Sequence, residues 1–252
     1  MARSEGSYSL SQKILAWSVH AFTSLGAVAG LFAIIYISRH QFEHACLALM
    51  IAFVIDGIDG TFARLFKVKE VLPSMDGKNI DYVVDFANYA IIPAYFIYEA
   101  GWNVTDGYQF LLPESLRWLA VSAILVTSAL YYGRDGMVSS DNYFMGFPVL
   151  WNVVAFYCYF IFDWSPEINL ALILFLCLAQ FFPVKILYPS RSPHFRILNI
   201  IASFTIVTSN VAFIFLMRNQ DWYPVLRWIS LLSLIYFILM SLYITFFYRP
   251  KA

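Results

Sequence analysis

Eight apolar runs, over residues 14–38, 43–64, 80–99, 115–133, 143–162, 168–188, 196–218 and 224–248, limit what this chain can become. A helix needs about 20 apolar residues to cross a hydrocarbon core, and each run is close to that length. In lipid the backbone must satisfy its own polar groups, so such runs fold as helices. Two-residue alternation is not sustained over strand-length segments, which argues against an outer-membrane barrel. Connectors are short, and neither an internal repeat nor a low-complexity stretch interrupts them. The expectation is an all-α polytopic membrane protein of about eight transmembrane helices, with residues 1–252 as a single integral-membrane domain.

Composition agrees. Only 13% of the 252 residues are charged while 61% are hydrophobic, and 16 Lys and Arg balance 16 Asp and Glu. A soluble domain carries about 25% charged residues. A soluble enzyme, a disordered chain and a basic nucleic-acid binder are thereby excluded, and no nucleic-acid partner is expected. The three cysteines, Cys46, Cys158 and Cys177, lie in apolar runs without metal-ligand spacing and read as small buried residues. The first run is too long for a signal peptide and reads as a retained span.

Orientation follows from the distribution of Lys and Arg between alternate connectors. One side collects Arg3, Lys13, Arg64, Lys67, Lys69, Lys78, Arg134, Lys185, Arg191, Arg196, Arg249 and Lys251, which is 12 of the 16. The other holds Arg39, Arg117, Arg218 and Arg227. Both termini are therefore expected in the cytoplasm.

The pattern breaks at one place. Membrane helices exclude carboxylates unless function needs them, yet Asp56 and Asp59 close the second run and Asp81 and Asp85 open the third. Asp56, Asp59, Gly60 and Ala63 recur at i, i+3, i+4 and i+7 and share one helical face; Asp81 and Asp85, four apart, share another. A hairpin between the two helices can bring all four carboxylates together. Four anions in a low-dielectric site repel severely unless cations sit between them. Carboxylate oxygen is the donor that Mg²⁺ and Mn²⁺ prefer, so one or two such ions are the natural counter-charge. Gly57, Gly60 and Ala63 carry little bulk beside the acids, and the guanidinium of Arg64 can fork onto a phosphate. Together they suggest a pyrophosphate site and attack on phosphorus.

These residues resemble the signature of the CDP-alcohol phosphotransferases, D-x2-D-G-x2-A-R, a spacer, then G-x3-D-x3-D. Asp56, Asp59, Gly60, Ala63, Arg64, Gly77, Asp81 and Asp85 match at all eight positions. The family core of six helices would cover roughly residues 14–218. The spacer, residues 65–76, has twelve residues where eight are usual. That length, the run Lys69-Glu70-Val71-Leu72-Pro73, and the segments around Asn88-Tyr89 and Trp151-Asn152 look like the branch that joins CDP-diacylglycerol to free choline, giving phosphatidylcholine and CMP.

The resemblance implies roles position by position. Asp56, Asp59, Asp81 and Asp85 would ligate two Mn²⁺ or Mg²⁺ ions, and Asp85 would act as general base toward the alcohol. Asp56, Gly60, Ala63, Arg64 and Gly77 would contact the nucleotide and its phosphates. It also implies a bacterial inner membrane, with the active site on the cytoplasmic side, and a homodimer. Choline, a quaternary ammonium, is held by aromatic faces; the candidates are Tyr89 with Asn88, Tyr131 and Tyr132, and Trp151 with Asn152. Lys185, Arg191 and Arg196, on the motif's own side, are candidate contacts for the lipid headgroup. Thr23 and Ser24 occupy a segment that often reads Asn-x-x-Thr in the family; His20 replaces the Asn, and no role is carried over. Serine, glycerol phosphate or inositol as acceptor is the nearer alternative. Lys and Arg are missing from 80–99, which favours a cationic acceptor. A divalent-cation transporter is the distant alternative, opposed by the gathering of all four acids toward one membrane face beside an arginine.

Overall fold

The computed structural model describes residues 8–105, 107–189, 192, 195–217 and 219–248. Of the cations that set the expected orientation, Arg3, Arg191, Arg218, Arg249 and Lys251 lie outside the described residues. The chain divides into two compact units, Met1–Pro93 and Ala94–Ala252.

In the first unit, α1 (Leu10–Ile37) starts on a reciprocal cap. The Gln12 backbone N–H donates to Ser9 Oγ over 3.3 Å, while the Ser9 N–H donates to Gln12 Oε1 over 2.9 Å. A short turn leads into α2 (Phe42–Leu65), which packs along α1. Then come α3 (Val68–Val71) and α4 (Gly77–Phe86), whose first turn is capped by the Asp76 carboxylate accepting from the Lys78 N–H. A wide π-type turn over Ala87–Ile91 follows α4 and leads into α5 (Ile92–Glu99), whose residues beyond Pro93 belong to the second unit.

Helix α4 packs closely on α1. The approach rests on missing side chains: a Cβ at Gly26 would lie 2.8 Å from Val84 Cγ1, and one at Gly30 would run into Asn88. Small residues serve this purpose in membrane helices, where close backbone approach supplies the packing energy. The twelve-residue spacer has its own anchor. Val68, Val71 and Leu72 are buried against Ala16 and Val19 of α1, so the extra length forms a packed foot on the first helix.

The second unit holds a hairpin of β1 (Gly101–Val104) and β2 (Gly107–Phe110), with Gly101 opposite Phe110. Helix α6 (Arg117–Gly133) follows, its first residue clamped. The Arg117 Nη1–H donates to Tyr98 O over 2.9 Å and the guanidinium stands 3.6 Å from the Phe110 ring centre. Then come β3 (Phe144–Met145), α7 (Trp151–Phe156) with a π-type turn over Tyr157–Ile161, α8 (Pro166–Ala179), and β4 (Lys185–Ile186), which pairs antiparallel with β3. Finally α9 (Arg196–Leu216) and α10 (Trp222–Phe246) pack together. Buried polar groups join them: the Tyr157 hydroxyl donates to Ser230 O over 2.9 Å, and Ser230 Oγ donates to Asn210 Oδ1 over 2.6 Å.

The all-helical membrane class holds, with two short strand pairs added, and the count of eight spans is not confirmed. Among the described residues, five helices are long and apolar enough to cross a membrane: Leu10–Ile37, Phe42–Leu65, Glu114–Gly133, Arg196–Leu216 and Trp222–Phe246. The third expected run, 80–99, is helical throughout, with the π-type turn set inside it. The fifth, 143–162, begins its helix only at Trp151. Gly146, at φ +79°, turns the chain where a Cβ would collide with the Gln180 carbonyl, and Pro148 follows. The sixth, 168–188, stops at Ala179 before Pro183 and pairs as β4 instead. In the fifth and sixth runs, glycine, proline and strand pairing cut the helix short.

Candidate active site

The candidate site lies wholly within the first unit. Asp56 and Asp59 stand on the last turns of α2, Asp81 and Asp85 on α4. Asp56, Asp81 and Asp85 each offer a carboxylate oxygen, and the three oxygens lie within 4.8 Å of one another. Asp59 faces the same cleft, lined also by Thr23, Asn88 and Tyr89, but stands outside that trio. Its Oδ2 accepts a 2.8 Å hydrogen bond from the Thr23 hydroxyl, and both residues are buried.

Three hard oxygens converging from two helices, half-buried and all anionic, suit a hard divalent cation; they offer no nitrogen or sulfur for a softer one. Mutual repulsion inside an apolar helix pair makes such a cation stabilising for the fold as well. The donor set therefore fits the ions the sequence implies.

The residues expected at the nucleotide differ in exposure. Gly57 is exposed, and among the described residues no atom would lie within 4 Å of a Cβ built there, so packing does not explain this glycine. Gly60 faces Arg64, whose Nη1 would lie 3.4 Å from such a Cβ. Ala63 is half-buried, while Arg64 is exposed and donates through Nη2 to Thr61 Oγ1 over 3.2 Å. Gly77 opens α4 against α1: a Cβ there would come to 2.9 Å from His20 Cε1. His20 is buried in that contact, as a packing residue would be.

The aromatic candidates divide. Tyr89, 5% exposed, donates its hydroxyl to Asp56 Oδ2 over 2.7 Å. Asn88 is buried beneath it and donates through Nδ2 to Gly26 O over 3.0 Å, which ties the π-type turn to α1. The remaining candidates lie in the second unit. Tyr131 is buried, with the Arg134 guanidinium 4.7 Å from its ring centre, so a cation already holds one of its faces. Trp151 is fully buried and donates Nε1–H to Ser128 Oγ over 2.9 Å; Asn152 is buried beside it and Tyr132 is half-buried. Lys185, proposed for the lipid headgroup, pairs with Asp141 at 2.5 Å. Arg196 is exposed at the start of α9, and Arg191 lies outside the described residues.

Two features of the site escaped the sequence. Thr23 lies 36 residues from the aspartate it touches, and only its position in a polar family segment hinted at a role. The π-type turn, which delivers Tyr89 to Asp56, leaves no mark in hydrophobic periodicity.

Fold and site thus define a polytopic helical membrane protein with a carboxylate cluster shared between two consecutive helices. A family model described as CDP-alcohol phosphatidyltransferase matches residues 19–184, and the chain belongs to that family. Several curated relatives share the name phosphatidylcholine synthase. The protein from Pseudomonas aeruginosa is 40% identical over 198 residues, 79% of either chain. The protein from Legionella pneumophila is 35% identical, covering 97% of this chain and 94% of its own. The one from Borreliella burgdorferi is 33% identical, covering 94% and 97%.

Proposed function

We propose that this chain is a phosphatidylcholine synthase: it transfers the phosphatidyl group of CDP-diacylglycerol to choline and releases CMP. The observation that carries the reading is near-full-length similarity to proteins of that name, joined to the three converging carboxylates. The whole chain is taken to work as one catalytic domain in the bacterial inner membrane, its carboxylates and both termini toward the cytoplasm, as a homodimer. The excess of basic residues on the motif's side supports the orientation.

In this reading Asp56, Asp81 and Asp85 would hold Mn²⁺ or Mg²⁺, and Asp59 would complete a two-ion site. Such ions, when bound, withdraw charge from the diphosphate and stabilise the phosphorus under attack. Arg64, exposed beside the open flank of Gly57 and Gly60, pairs with a phosphate oxygen while those glycines and Ala63 admit the nucleotide. Choline enters the cleft with its hydroxyl toward Asp85. As the choline oxygen forms its bond to the phosphatidyl phosphorus, the bond from that phosphorus to the CMP oxygen breaks, and Asp85 takes the hydroxyl proton. Tyr89, the aromatic lining the same cleft, is the nearest candidate for the ammonium. Arg196 and the paired Lys185 remain candidates for the lipid headgroup.

The test is CMP release by purified protein in detergent. The reading expects release from CDP-diacylglycerol only with both choline and a divalent cation. Equal turnover with serine, glycerol phosphate or inositol would move the chain to another acceptor.

A further inference from the structure

Tyr89 belongs to neither half of the eight-residue signature, yet it makes the closest polar contact to Asp56 from outside the carboxylate group. Its hydroxyl donates to Asp56 Oδ2 over 2.7 Å, and its ring is 5% exposed. Two constraints hold the ring. The Phe53 ring meets it edge-on, with centres 6.1 Å apart at 79°, and Phe53 stands one turn before Asp56 on α2. From below, the backbone of Tyr89 lies in the π-type turn whose neighbour Asn88 is tied to Gly26 O on α1. A tyrosine fixed at ring and backbone presents its hydroxyl at one point in space. A carboxylate has a free terminal torsion, and one fixed hydrogen bond to a single oxygen sets its plane. π-type turns inside α-helices are frequent at functional sites.

We infer that Tyr89 is a positioning residue, which acts through Asp56 to hold that carboxylate in the orientation a divalent cation requires. The inference rests on the metal-binding reading of the carboxylate cluster. It assigns the tyrosine hydroxyl to the metal side of the site, whatever its ring contributes to the acceptor.

Tyr89→Phe separates hydroxyl from ring. Outer partners of metal ligands are worth about 10- to 100-fold in metal affinity or activity. Mn²⁺ binding to purified wild-type and variant proteins, read by the electron paramagnetic resonance signal of free Mn²⁺, should show the dissociation constant rising about 10-fold or more in Tyr89→Phe. The KM for choline should stay within about twofold of wild type, because the ring is kept. In an Asp56→Asn background, Tyr89→Phe should add nothing further to the loss of Mn²⁺ affinity, because the hydrogen bond acts only through Asp56. Should the purified variant not fold, the Mn²⁺ concentration for half-maximal CMP release in native membranes gives the same comparison, and it should rise likewise. Unchanged Mn²⁺ affinity in Tyr89→Phe, or equal losses in the two backgrounds, overturns the assignment. A raised KM for choline at unchanged Mn²⁺ affinity overturns it in favour of an acceptor contact. Failure of the wild-type protein itself to bind Mn²⁺ would overturn the metal reading and the assignment with it.

Discussion

Thr23 on α1 donates its hydroxyl to Asp59 Oδ2 on α2 over 2.8 Å, deep in the first unit. The bond does two things at once: it satisfies a buried carboxylate and fixes the register of α1 against the aspartate-bearing end of α2. Thr23→Val keeps the shape and removes the donor. Leaving a buried acceptor unpaired costs about 1–3 kcal/mol, so the midpoint of thermal unfolding in detergent should fall, and turnover with it. Thr23→Ser retains the hydroxyl and should recover most of both.

The carboxylates should separate by role. Asp85→Asn is expected to abolish CMP release while nucleotide binding largely survives, since the oxygens of Asp56 and Asp81 remain. Asp56→Asn should weaken both, because it removes a member of the trio and the partner of Tyr89. Isothermal titration with CDP, run beside the CMP assay, distinguishes the two patterns. Near-native turnover in Asp85→Asn would show that another group takes the proton.

Two glycines offer a matched contrast. Gly30→Ala places a methyl against Asn88 Oδ1 and 2.7 Å from Ile92 Cδ1, where α1 meets the π-type turn. Overpacking of this kind costs about 1–3 kcal/mol, and the unfolding midpoint should drop. Gly57→Ala meets no atom within 4 Å among the described residues, and alanine favours the helix by up to about 1 kcal/mol. That variant should be as stable as wild type or more so. Any activity it loses would report bulk on the nucleotide flank.

In the second unit, Asp141 ties the loop before β3 to β4. Partial burial alone would raise its carboxyl, but the hydrogen bonds from Lys185 and Ser139 outweigh burial and hold it below its ordinary value. A carboxyl depressed in the folded state contributes stability that is complete above the unfolded value and vanishes as pH falls through the folded one. The contribution should therefore be intact at pH 7 and begin to fall away only below pH about 4. With both side chains about one-third exposed, at 30% and 33%, the pair is worth about 1 kcal/mol or less. Asp141→Asn should lower the unfolding midpoint slightly at pH 7, and the difference from wild type should shrink as pH falls below about 4.

Long-range and local features differed in how far the sequence disclosed them. The spacing of Asp56, Asp81 and Asp85 was enough to predict a carboxylate cluster between consecutive helices, because helical periodicity and a hairpin leave little freedom. Asp59 followed the same face yet stands apart from the trio, held by Thr23 from a helix no periodicity could place. Tyr89 was legible as an aromatic one turn beyond Asp85. Its hydrogen bond to Asp56 was not, because a π-type turn intervenes at Ala87–Ile91. The spans show the same limit. Hydropathy located Leu10–Ile37 and Trp222–Phe246 well. It could not tell that the apolar stretch from Tyr143 to Leu150 forms a strand and loop around Gly146 before α7 begins.

Catalysis as proposed needs a divalent cation held between α2 and α4, and anomalous scattering from protein crystallised with Mn²⁺ locates such an ion directly. Anomalous density bounded by the carboxylates of Asp56, Asp81 and Asp85 is expected. Protein saturated with Mn²⁺ whose anomalous density lies elsewhere, with those three side chains turned apart, would contradict it.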